Sequence, residues 1–335
     1  MNDKRLIWAD SLKGFLIVLV VLGHAIQLTI NNACFTNHLW NLIYSFHMPA
    51  FMAVSGYLAY RVNTQEGGGF SWWGVIWRRF RQLIIPFVLW TIILLLVGNK
   101  LNWSDIKNYM IYPDKGLWFL WVLFFINIIF VSGTWIAKRI NVRQEFVELI
   151  ICGILVCTMV IFELRILGFQ FIAYYFLFYS IGYFFHKYED KVVSSSVLLM
   201  ALLGICWAVL AWFWNMHELP VFLKGLPLPA TITQYAYRFI TAAIAIYLLL
   251  NLSPRVLNSS LLWNRPFVKL GNISLGIYAV HFIFLGMWIS FFRQVGLSDV
   301  GVIAGTFVML LVVTWLIVWL LNKWKVTSTW LLGKI

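Results

Sequence analysis

Charge is scarce in this chain. Only 11% of its 335 residues are Asp, Glu, Lys or Arg, and only 12 are acidic. With 62% of residues hydrophobic and a mean hydropathy of +0.85, a soluble domain of this length is excluded. Cysteine is sparse too. Cys34, Cys152, Cys157 and Cys206 lack the paired spacing of a zinc site, so neither a disulfide framework nor a bound metal is expected. No internal repeat or low-complexity tract is present, and Gly67-Gly68-Gly69 reads as a flexible turn. No small-x-small cleavage site follows the first apolar run, which is therefore expected to stay as a helix rather than leave as a signal peptide. The polar connections are all too short to form a domain outside the membrane.

What remains is a series of apolar runs near spanning length, at about 12–30, 39–60, 82–98, 117–137, 147–163, 169–186, 197–214, 231–252, 272–292 and 300–321. They predict an all-α polytopic membrane protein of about ten transmembrane helices, organised as one membrane-embedded domain over 1–335 with the lipid bilayer as its solvent. The net charge of +13 has a distribution that argues against nucleic acid as a partner. With the N-terminus inside, 18 of the 25 basic residues fall on the inner side, Lys4, Arg5, Arg78, Lys138 and Lys323 among them. The outer side holds Lys100, Lys107, Lys115, Arg165, Lys224, Arg238 and Arg293. This is a positive-inside bias, and it predicts both termini cytoplasmic.

Within the first run, LKGFLIVLVVLGHAIQLTI, stands His24. An ionisable group at the centre of a span costs ~2.5 kcal/mol or more when charged, so it marks a functional candidate. Lys13 lies eleven residues upstream, close to a whole number of helical turns, so both occupy one stripe, with Asp10 on the same broad stripe. Along the axis Lys13 and His24 are roughly 16 Å apart. A base inside the membrane is thus aligned with a cation at its inner surface.

The second polar concentration is Ser45-Phe46-His47-Met48-Pro49, followed by Ser55-Gly56-Tyr57. Counting from the outer ends of their spans, His47 lies roughly 12 Å deep and His24 roughly 9 Å deep, so antiparallel helices can bring them to similar depth. Pro49 cannot donate to the carbonyl of Ser45, which predicts a kink beside His47 and a freed carbonyl in need of a partner. His281 is a third histidine in mid-span. Each histidine can also serve as a helix–helix hydrogen-bond partner with no chemistry, worth ~1 kcal/mol. Ser55 and Gly56 equally suit close approach of helices. The stretch Trp72 to Arg81, with Arg78, Arg79 and Arg81, reads either as an interfacial anchor or as an anion site with arginine forks for phosphates.

Several segments, in this order, resemble the integral-membrane acyltransferase-3 family. They are Trp8-Ala9-Asp10-Ser11-Leu12-Lys13-Gly14, Val20 to His24, Phe46-His47-Met48-Pro49, Ser55-Gly56-Tyr57, Arg78 to Pro86, Gly116-Leu117-Trp118-Phe119-Leu120 and Gly271 to Tyr278. The likeness runs nearly the whole chain and is greatest to the fucose 4-O-acetylase-like branch. It implies transfer of an acyl group, usually acetyl, from cytoplasmic acyl-CoA to a hydroxyl of a sugar, glycan or lipid-linked precursor, in a bacterial cytoplasmic (inner) membrane. His24 matches the histidine regarded as essential in the family. Lys13 stands where many relatives have arginine in an Arg-x10-His pattern. Gly116 replaces a histidine common in relatives, so no catalytic role is carried over to that loop, although Asp114 is nearby. On this reading His24 and His47 are the catalytic candidates, with His24 the general base. Lys13, Arg78, Arg79 and Arg81 are candidates for acetyl-CoA, and Asp10, Ser55, Tyr57, Trp118 and His281 for the acceptor. A transporter or flippase of a glycolipid or polar metabolite is the alternative, since buried histidines and a kinked helix would serve it too.

Overall fold

The computed structural model describes residues 6–65, 71–113, 116–162, 164, 166–194, 196–257 and 262–334. Lys4, Arg5, Gly67-Gly68-Gly69, Asp114, Lys115 and Arg165, named above, lie outside the described residues. Helices follow in the order α1 (Ile7–Ile30), α2 (His38–Tyr44), α3 (His47–Gln65), α4 (Trp72–Arg79), α5 (Ile85–Val97), α6 (Trp103–Ile111), α7 (Trp118–Arg139) and α8 (Gln144–Phe162). They continue with α9 (Phe169–Lys187), the single turn α10 (Glu189–Val192), α11 (Val197–Trp212), α12 (Ala230–Val256), α13 (Arg265–Asn272), α14 (Ser274–Gln294), α15 (Asp299–Leu321) and α16 (Lys325–Trp330). No strand occurs among the described residues.

Nine helical segments among those residues are long and apolar enough to cross a membrane. They are α1 with the turn after it, α2 joined to α3, α4 joined to α5, α7, α8, α9 with its preceding turn, α12, α14 and α15. The protein is an all-α polytopic membrane protein. The remaining run of the sequence, 197–214, is α11, an apolar helix whose 16 residues make it shorter than those nine segments. At 1.5 Å per residue it covers roughly 24 Å, less than a hydrocarbon core of about 30 Å. Its side chains Val197, Leu198, Leu202 and Ile205 are exposed and apolar, as on a helix whose flank meets lipid.

Three helix boundaries depart from the apolar runs, each for a local reason. α1 starts at Ile7 because Asp10 and Lys13 pair with each other across one turn, at 2.9 Å, and extend the helix beyond its apolar part. Beside His47 the chain breaks: α2 stops at Tyr44, Ser45 and Phe46 form a turn, and α3 restarts with Pro49 in its first turn. There the missing N–H of proline forfeits no helical bond. The run at 82–98 extends back to Trp72 through a π-helical turn, Phe80–Ile84, that carries Arg81.

By internal contacts the chain forms two compact units. One comprises the residues up to Val54 together with Tyr188–Leu316, and the other Ser55–Lys187 with the residues from Ile317 onward. In the first, α1 lies against α13 and α14. Gly14 and Gly271 permit the contact with α13. A Cβ on Gly14 would overlap the carbonyl of Phe267, and one on Gly271 the carbonyl of Asp10. Backbone therefore meets backbone, the small-residue solution to helix association in lipid. Ser11 donates to Asn264 beside this contact. In the second unit Gly56 brings α3 onto the backbone of α9 at Tyr179. Phe130 of α7 packs on Tyr183 and Tyr179 at 4.5 and 5.2 Å between ring centres. Gly133 leaves room for the carboxyl of Glu148, which is buried on α8.

Candidate functional site

Three histidines of the first unit come from three helices: His24 from α1, His47 from the start of α3 and His281 from α14. Nδ1 of His24 lies 2.9 Å from Nε2 of His281, a hydrogen bond between residues 257 positions apart. Phe282 flanks both rings, with centres 4.7 Å from His24 and 4.3 Å from His281. His47 lies within electrostatic reach of His24. His281 and His47 are 0% and 2% exposed, whereas His24 is half-buried, so His24 is the most accessible of the three.

Helix geometry sets two of these rings. Nδ1 of His281 donates to the carbonyl of Ile277, one turn back on α14, at 3.1 Å. Nδ1 of His47 donates to the carbonyl of Ile43 at 2.7 Å, across the break between α2 and α3. That carbonyl also accepts from the N–H of Phe46 at 3.4 Å. The carbonyl that His47 satisfies is thus that of Ile43, left at the chain break, and not that of Ser45, which Pro49 is expected to free. In its neutral form His47 is left with Nε2 as its basic atom.

Sequence reasoning passed over three side chains around these rings. Tyr44 meets His47 edge to face at 4.7 Å and donates through its hydroxyl to Oε1 of Gln27 at 2.7 Å. Gln27 and Phe282 complete the set. The signal was available for Gln27, a polar residue three positions after His24 and so on its helix face, and for Tyr44, three before His47.

Lys13 and Asp10 stand on α1 as the sequence indicates, paired with each other, the lysine side chain 24% exposed and the carboxylate 7%. Asp10 in the first turns suits the positive end of the helix dipole. Ser55, Tyr57, Trp118 and the arginines belong to the second unit. Ser55 is half-buried on α3. Tyr57 is buried and stacks on His186 at 3.8 Å, while Nδ1 of His186 donates to the Tyr57 carbonyl at 2.8 Å. Trp118 opens α7 and stacks on Phe171 and Tyr175 at 4.9 and 5.1 Å. Arg78 and Arg79 close α4, and Arg81 follows in the π-helical turn. Arg79 donates through Nη1 to Gln82 at 3.1 Å, but its Nε and that of Arg81 are buried with no hydrogen-bond partner among the described residues. Trp73 and Trp77 beside them are 70% and 59% exposed, as interfacial tryptophans are. No group of three or more His, Cys, Asp or Glu that could hold a metal occurs among the described residues.

Nine apolar helical segments of spanning length among the described residues, three of them carrying the clustered imidazoles of His24, His47 and His281, define a polytopic membrane protein with ionisable side chains between its helices. Residues 6–322 match the family model described as an acyltransferase domain, and the chain belongs to that acyltransferase-3 family. It is 28% identical over 222 residues to the Nodulation protein NolL of Sinorhizobium fredii, an alignment covering 62% of this chain and 56% of that protein. It is 31% identical over 145 residues to the Nodulation protein NolL of Mesorhizobium japonicum, covering 37% of this chain and 34% of that one. The chain thus spans about half and about a third of these relatives. No solved structure matches it.

Proposed function

We propose that the protein is a membrane O-acetyltransferase of a bacterial inner membrane, with both termini cytoplasmic. It moves acetyl from cytoplasmic acetyl-CoA to a hydroxyl of a sugar, glycan or lipid-linked precursor. The observation that carries this reading is His24: a half-buried imidazole on a spanning helix, hydrogen-bonded to a second imidazole, inside an acyltransferase domain. That domain favours group transfer over the transporter alternative.

The chemistry asks little of the protein beyond a positioned base. The acceptor hydroxyl attacks the thioester carbonyl as His24 takes its proton. Collapse of the tetrahedral intermediate breaks the C–S bond, and the proton passes from His24 to the leaving sulfur. The products are the ester and free CoA thiol, with the imidazole restored. His47 is assigned as a second acid–base or acceptor-positioning group. A covalent acetyl-histidine is a variant of the same scheme.

Two sets of cations are candidates for the donor's phosphates, and each is tested by itself. Lys13 shares the stripe of His24 and is partly exposed, with Asp10 taking part of its charge. Arg79 and Arg81 have buried guanidinium nitrogens without hydrogen-bond partners among the described residues, which an anion would satisfy. Asp10, Ser55, Tyr57 and Trp118 are retained as acceptor candidates.

The deciding experiment follows radiolabelled acetyl from acetyl-CoA onto endogenous acceptor in membranes carrying His24→Ala. Transfer is expected to fall at least ~10²-fold, the lower range for removing a general base. Near-normal transfer by a correctly inserted variant would sink the assignment.

A further inference from the structure

We propose that His281 is the positioning residue of His24, holding its ring in the tautomer that carries the proton on Nδ1 and leaves Nε2 as the base. This rests on the reading of His24 as the base. A carbonyl oxygen only accepts, so the 3.1 Å contact between His281 Nδ1 and the Ile277 carbonyl puts a hydrogen on that Nδ1. A neutral imidazole has one N–H, which makes Nε2 of His281 an acceptor. The atom facing it at 2.9 Å is Nδ1 of His24, which therefore donates. The single N–H of His24 is thus committed, and Nε2 holds the lone pair.

The direction of this relay is anchored in the backbone of α14. With both rings neutral, flipping the His24 tautomer would set two lone pairs against each other across 2.9 Å. Phe282, against both rings, restricts the alternative of rotating one away. His281 is 0% exposed, so it acts through His24 rather than on a substrate. When Nε2 of His24 receives the hydroxyl proton, its Nδ1–H becomes the donor of a charge-assisted bond to His281, stronger than the neutral one. Fixing a tautomer and stabilising the imidazolium are what a histidine's second partner does in general, commonly as a carboxylate or carbonyl. Here the partner is another imidazole.

The test reads the tautomer directly. Nitrogen-15 spectra of histidine-labelled full-length protein in lipid bilayers distinguish Nδ1–H from Nε2–H rings, with His24 assigned by the signal lost in His24→Ala. In the wild type His24 is expected to be protonated on Nδ1. His281→Leu removes the acceptor, so His24 should populate Nε2–H, and kcat should fall about 10–100-fold with little change in KM for acetyl-CoA. His281→Gln places an amide oxygen near the position of Nε2 and should restore both the tautomer and most of kcat. A wild-type His24 protonated on Nε2 overturns the proposal whatever the variants do. So does an unchanged kcat in His281→Leu, or a His281→Gln variant no better than it. Should His281→Leu fail to fold, the wild-type spectrum and His281→Gln still decide. Near-normal turnover in His24→Ala removes the base reading itself, an outcome separate from the tautomer.

Discussion

The structural role of His47 and the chemical role proposed for it are separable. Its Nδ1–H satisfies the Ile43 carbonyl at the break between α2 and α3, while Nε2 is the nitrogen available for chemistry. His47→Asn presents an amide N–H near the position of Nδ1 and nothing near that of Nε2. It is expected to unfold close to wild type in detergent yet lose transfer by about 10²-fold. His47→Ala leaves a buried carbonyl short of a donor and should also lose ~1–3 kcal/mol of stability. Wild-type turnover in His47→Asn would leave the ring with its structural role alone. At Lys13, Arg retains the charge beside Asp10, whereas Ala removes it. Lys13→Ala should weaken acetyl-CoA binding in calorimetry, most at low salt, where a partly exposed charge is least screened. Unchanged affinity would exclude Lys13 as a phosphate ligand. Of these features, His24, its register with Lys13 and the polar surroundings of His47 were legible in the sequence. The partner of His24 was not, because it comes from α14.

At the scale of the element, two glycines decide where α1 sits. Gly14 and Gly271 let α1 and α13 touch through their backbones, and any larger residue must drive them apart. Gly271→Val is expected to cost about 1–3 kcal/mol or more as overpacking, read as a lower unfolding temperature in detergent. Full retention of stability would mean that the helices separate freely. The π-helical turn makes a different prediction. It places Arg81 after the two arginines that end α4, with the buried Nε atoms of Arg79 and Arg81 lacking a hydrogen-bond partner among the described residues. Arg79→Gln and Arg81→Gln should each weaken acetyl-CoA binding, with a smaller loss at high salt. If neither changes affinity, the segment is an interfacial anchor, as its exposed tryptophans already suggest for one face. Local propensity revealed these helices but missed the π turn. A change from α to π hydrogen bonding leaves hydropathy untouched.

For the whole molecule, charge asymmetry predicts sidedness. On the positive-inside reading of the sequence, basic residues are expected mostly at the inner ends of the spans, and His24 lies nearer the C-terminal end of α1, the expected outer end. Donor is therefore expected to act from the cytoplasmic face and acceptor to be modified from the outer one. In vesicles of known orientation, radiolabelled acetyl supplied inside should appear on an acceptor supplied outside, with free CoA staying inside. Acetylation only when both substrates share the inner side would refute this geometry while leaving the enzyme class intact. Movement of an unmodified solute without CoA release would instead favour a transporter.

Composition and hydropathy by themselves determined that this is a helical membrane protein, where most of its spans lie, and that His24 and His47 are out of place among apolar neighbours. Those properties are local: a stretch of about 20 residues either suits hydrocarbon or does not, and an ionisable group within it stands out by chemistry alone. The order of the motifs was likewise enough to reveal the family. Tertiary structure alone decided that His24 meets His281 across 257 positions, that Tyr44 reaches Gln27, and that Asn264 receives Ser11. Such pairings depend on which helix faces approach one another. In lipid that choice turns on small residues and shape rather than hydrophobicity, since every apolar face is equally at home there. Gly14 and Gly271 are readable as letters, but the backbone each one admits becomes known only when the helices are assembled.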